Sequence, residues 1–157
     1  MTNEKKHDFT LRISQANSTE LVVILYEMLL CYLEDAVVAS HDDDLGYHES
    51  VRKARGCLNE LIASTHVEYE PGTRIMQLYM FCLKRLAKAD VTKDVTYLGD
   101  IRNVIQPLHD AYAELAVLNT KGPVMDNTQT IYAGLTYGRN IMNIDMQDIV
   151  TNRGLFA

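Results

Sequence analysis

Residues 17–38 constrain the fold more than any other stretch. They run from Asn17-Ser18-Thr19-Glu20 through Leu21-Val22-Val23-Ile24-Leu25-Tyr26 and on to Ala36-Val37-Val38. Asn17 with Glu20 three residues later has the form of a capping box, with Asn in the place of Ser or Thr. The apolar run behind it is too long for an ordinary strand. Glu27, Glu34 and Asp35 interrupt it, so it is no membrane span. Apolar residues cover more than half of its circumference. A helix of that kind must be buried on several sides, and the rest of the chain is expected to pack around it.

Further helical patterns follow. His41-Asp42-Asp43-Asp44 reads as a polar turn, with Asp44 the candidate cap of a second helix. It is no calcium loop, because the twelfth position from Asp42 is Lys53 and not Glu. Between about residues 45 and 65, Tyr47, Val51, Ala54, Leu58, Leu61 and Thr65 recur at 4-3-4-3-4 spacing, one stripe against a neighbour. Pro71-Gly72 reads as a loop and Thr73 as the cap of a third helix, which carries Ile75, Met76, Leu78, Tyr79, Phe81, Cys82, Leu83 and Leu86 and stops near residues 89–90. Thr92 is the candidate cap of a fourth. Its stripe is Leu98, Ile101, Ile105, Leu108, Tyr112 and Leu115, with Pro107 inside it as a source of a kink. Four helices with short connections give an all-α fold, an antiparallel four-helix bundle.

The flanks differ from this body. Residues 1–16 read as a mobile arm, in which Phe9, Leu11 and Ile13 alternate as in an extended segment laid on a surface. Residues 119–157 read as an irregular tail. Their charges cancel, so residues 1–118 carry the whole net charge of −6. Apolar clusters at Ile131, Leu135, Ile141, Ile144, Met146 and Ile149 suit a tail that folds back over the bundle.

Catalytic and metal constellations are missing. A di-iron bundle needs two inward Glu-x-x-His pairs, and the only such spacing, Glu4 with His7, falls in the arm. There is no HExxH, GxSxG or Gly-rich phosphate loop. The three cysteines, Cys31, Cys57 and Cys82, lie in apolar helical patterns and read as buried reduced thiols of a cytoplasmic chain. The acidic balance argues against nucleic acid as partner. The start of the chain has no apolar signal region, and no stretch qualifies as a membrane anchor. No enzyme, cofactor or metal is expected. A protein that works by its surface remains, and Met76, Met80, Met125, Met142 and Met146 serve either an adaptable surface or the filling of core gaps.

Two motifs in order carry a resemblance. Ile13, then Ala16-Asn17-Ser18-Thr19-Glu20-Leu21, then Leu25-Tyr26-Glu27, resemble the "V-x-T-A-S-P-x-E-L" lead and "L-Y-D-G" helix of the flagellar secretion chaperone family FliS. Residues 78–90, from Leu78-Tyr79 through Lys84-Arg85-Leu86 to Ala89-Asp90, resemble that family's "L-Y-x-[FY]-M-x-x-R-L-x-x-A-N". Asp94 and Leu98 match the start of the last helix, and Tyr112 takes the place of a usual Trp. Met28 departs from the family's Gly, and Asp8 stands where the arm usually has Tyr. The resemblance covers residues 9–118. It implies a cytoplasmic chaperone that binds the disordered C-terminal segment of flagellin, prevents premature polymerisation and aids delivery to the export gate protein FlhA. It implies flagellin contacts at Ile13, Leu21, Leu25, Tyr26, Leu78, Tyr79 and Leu86, with Phe9, Leu11 and Ile13 plugging part of the groove in the free protein. The competing reading is a non-secretory helical-bundle adaptor, since heptad stripes serve both.

Overall fold

The computed structural model describes residues 1–68 and 70–125. Among them are five α-helices and no strand: α1 (Asn3–Gln15), α2 (Ser18–Ala39), α3 (Asp44–Ala63), α4 (Glu70–Thr92) and α5 (Thr96–Leu118). The all-α class holds. The count is five, not four, because the stretch read as an extended arm is α1. Phe9 and Ile13 are also four residues apart, the spacing of one helix face. Thr2 caps α1 by accepting the Lys5 amide.

The capping box at the start of α2 forms as expected. The Asn17 Oδ1 accepts the amides of Thr19 and Glu20 at 3.0 Å, and the Glu20 carboxylate accepts the Asn17 amide at 2.7 Å. Around α2 the helices close a ring. It packs on α3 and α5, and α4 packs on both of those. The pairs Asn17–Asn119, Glu27–His109 and Glu34–Arg102 step up α2 as they step down α5, so these two run antiparallel. Inside the ring lie Tyr26, Leu29 and Leu33 of α2, the stripe Tyr47, Val51, Ala54, Leu58 and Leu61 of α3, Tyr79, Cys82 and Leu86 of α4, and Leu98, Ile101 and Ile105 of α5. A second apolar cluster on the other side of α2 joins Ile24 to Phe9 and Ala16. The burial of α2 on several sides is thus divided between the ring and α1.

Three helix starts differ from expectation. Asp43, not Asp44, caps α3, accepting the Gly46 amide at 2.8 Å. α4 begins at Glu70 and takes Pro71 and Gly72 into its first turn, where a proline has no intrahelical donor to lose. Gly72 is required there: a Cβ would stand 1.9 Å from the His66 carbonyl oxygen. Thr73, free of a capping role, donates to the Val67 carbonyl. At α5 it is Asp94, not Thr92, whose carboxylate accepts the Thr96 amide, at 2.9 Å. Pro107 leaves α5 uninterrupted, with its ring on the exposed side. The fold-back expected of the tail, residues 119–157, rests on apolar clusters at residues 131–149, which lie outside the described residues. The first residues of the tail turn back towards the α1–α2 corner: Val124 donates its amide to the Ala16 carbonyl at 3.0 Å.

Candidate binding surfaces

The residues that the sequence motifs mark fall into three environments. Tyr26, Tyr79 and Leu86 are fully or almost fully buried in the ring. The hydroxyls of Tyr26 and Tyr79 bond to each other, and Tyr112 meets the Tyr26 ring edge-on at 5.7 Å. Burial pushes the Tyr79 phenol up to about 12 and the Tyr26 phenol higher still, the latter helped by the bond to Tyr79. These tyrosines are neutral structural pairs and present no open face. Burial likewise raises the thiols of Cys57 and Cys82, to about 11 and about 12, so neither is a ready thiolate near neutral pH.

Phe9, Ile13 and Leu21 come together where α1 lies on α2, with Leu11 half-buried nearby. Arg12 fastens this contact. Its two terminal nitrogens donate to the Glu27 carboxylate at 2.5 and 2.9 Å. That hydrogen bond is the main reason its guanidinium holds its proton more strongly than usual. His109 of α5 reaches the same carboxylate at 3.8 Å. Between α1, α2 and α5 remains a cleft of about 370 Å³ lined by Arg12, Val23, Ile24, Ala113 and Ala116. α1 therefore covers an apolar face of α2. Leu25 is half-buried against the ring.

Leu78 alone of the marked residues is exposed, at 38%, on the outer side of α4 beside Met80 and Phe81.

A strongly apolar open groove among the described residues carries none of the marked residues. It has a volume of about 540 Å³ and runs between the end of α2 and the start of α5, lined by Leu33, Val37, Val38, Val95 and Leu98. Glu34 and Arg102 pair beside it at 3.1 Å. Gly99 leaves it open, since nothing lies within 4 Å of where its Cβ would be. The sequence signal for it is weak: Val37 and Val38 extend the apolar run of α2 past the point where α3 and α5 can cover it. A smaller pocket of about 240 Å³ lies under the α3–α4 connection, between Val22, Thr65, Ile75, Tyr79 and Tyr112. Tyr79 touches it from beneath.

Among the described residues no cluster of three or more His, Cys, Asp or Glu side chains is placed to hold a metal. No described helix is long and apolar enough to cross a membrane. The groove between α2 and α5 and the α1-covered face of α2 are apolar enough to take an apolar or amphipathic chain. A family model described as "Flagellar protein FliS" matches residues 1–119. A search of curated proteins gives no match.

Proposed function

The chain belongs to the flagellar protein FliS family, a family of flagellar export chaperones and not of enzymes, and we propose that it binds the disordered C-terminal segment of flagellin in the cytoplasm, keeps it from polymerising early and aids its delivery to the export gate protein FlhA. The family match over residues 1–119 carries this reading. Physical chemistry supports it. A client that is unfolded before binding loses roughly 2–5 kcal/mol or more on being ordered, so it needs a long apolar track. The groove between α2 and α5, the α1-covered face of α2 and the exposed outer side of α4 together offer such a track for an extended wrap. In this reading Ile13, Leu21, Leu25 and Leu78 touch the client. The buried Tyr26, Tyr79 and Leu86 hold the helices in place behind them, and α1, with Phe9, Leu11 and Ile13, plugs part of the track in the free protein.

Calorimetric titration of the full chain with a peptide of flagellin's C-terminal segment tests the proposal. Saturable binding that gives the peptide helical circular dichroism is expected. A peptide that stays unbound and unstructured would turn the reading towards a non-secretory adaptor.

A further inference from the structure

The chain is acidic, yet α4 is not. From residue 71 to 89 it carries Arg74, Lys84, Arg85 and Lys88 and no carboxylate at all. Three of these cations gather on its outer side with two aromatic rings. The Arg85 guanidinium lies between the Phe81 ring, at 5.1 Å, and the Tyr97 ring of α5, at 5.3 Å. The Lys88 ammonium stands over the same Tyr97 ring at 5.9 Å. Phe81 is 38% exposed, and Lys84 and Lys88 are exposed as well. One carboxylate approaches the strip: Asp100 meets Nε of Arg85 at 3.4 Å, which leaves the outer edge of the guanidinium without an ion-pair partner among the described residues. Lys84 and Lys88 form no ion pair there either.

We infer that this strip, Phe81, Lys84, Arg85, Lys88 and Tyr97, is a docking surface for an acidic amphipathic helix of a partner protein. The spacing argues for a helix. Phe81, Lys84 or Arg85, and Lys88 succeed one another by single turns along α4, so a helix laid along it meets an apolar or a cationic group at each turn. The charge argues for acidic flanks. Lys84, Arg85 and Lys88, approached by the single carboxylate of Asp100, form a local positive field on a molecule of net charge −6, and it attracts carboxylates. The two flanking rings restrain the guanidinium, so a carboxylate that meets its terminal nitrogens does so at little further loss of side-chain freedom. The aromatic rings argue for a partner with an apolar side as well as charge. The strip consists of other residues than the α2–α5 groove and adjoins Leu78 on the outer side of α4.

Fluorescence anisotropy of the full chain with a labelled helix-forming peptide, leucines on one face and glutamates on its flanks, tests the inference. Binding should be saturable, weaken as salt rises, and fall at least tenfold in Arg85→Gln/Lys88→Gln. Phe81→Ala should weaken it independently. If loss of the Arg85 stack perturbs folding, Lys84→Gln/Lys88→Gln, both exposed, takes its place, with circular dichroism and melting temperature matched to the parent. The inference is overturned if the glutamate peptide does not bind, if a lysine-flanked version binds as well, if the neutralised variants bind like the parent, or if a single-stranded oligonucleotide of equal charge binds as tightly as the peptide.

Discussion

The hydroxyls of Tyr26 and Tyr79 bond to each other. Either phenylalanine substitution strands the remaining buried hydroxyl and should lower unfolding free energy by about 1–3 kcal/mol. The double variant should lose less than the sum, as urea midpoints will show. The same pair sets an alkaline limit. A free tyrosine ionises near about 10, and Tyr79 in the fold near about 12. Its folded value is raised, so its contribution is whole below the unfolded value and is lost as pH climbs from about 10 towards 12. The urea midpoint should drop across that window, and drop less in the double variant. Leu78 is the opposite case. Being 38% exposed, it should tolerate alanine with a stability change under about 1 kcal/mol, while the flagellin peptide binds several-fold more weakly. An unchanged affinity removes Leu78 from the track. At this scale the candidate site was only partly legible. Core and groove both ask for apolar side chains, so a motif alone cannot tell the buried Tyr79 from its exposed neighbour Leu78. The Arg12–Glu27 bond joins residues on two helices and leaves no local pattern. Phe81 and Arg85 stand four residues apart on α4, but the cluster exists only because α5 brings Tyr97 beside them.

Helices were legible where their apolar stripes were long. α2 and α3 appear within a residue or two of the sequence expectation, because many successive turns repeat one period. α1 was not legible: three apolar residues, Phe9, Leu11 and Ile13, satisfy an alternating and a helical period at once. The start of α4 was misplaced because proline and glycine punctuate most helices but are tolerated in a first turn. α1, with the Met1 ammonium just before it paired to Asp35, packs mainly on α2, through a small apolar cluster and the Arg12–Glu27 bond. That bond is partly exposed and is worth up to about 1 kcal/mol. Arg12→Ala should accelerate amide exchange across residues 3–15 several-fold and leave the ring helices protected. Raising salt to about 0.5 M should act in the same direction. Removing residues 1–14 should tighten flagellin binding, since the free state then has no plug to give up. An affinity that stays the same, with α1 shown intact in the parent, would mean that α1 does not cover the track.

For the whole molecule, the decisive contact is the one that shuts the ring. The side chain of Asn119 donates to the Asn17 carboxamide oxygen and to the Thr19 hydroxyl, at 3.3 and 2.7 Å, and Asn17 is 102 residues away in sequence. The first cap of the bundle and its last residue are thus one hydrogen-bonded corner. Such closure is unfavourable until the intervening helices have shortened the distance between the ends, so it belongs late on the folding path. A late contact affects escape from the native state more than entry into it. Asn119→Ala should raise the unfolding rate about fivefold for a loss of about 1 kcal/mol and leave the refolding rate nearly unchanged, which the two arms of a chevron plot will separate. Synthesis adds a timing consequence. α2 leaves the ribosome first among the ring helices and α5 last, so the apolar side of α2 that α5 will cover stays bare while α3 and α4 are still being made. During its own translation, this chain is in the position of the unfinished polypeptides that other chaperones shelter.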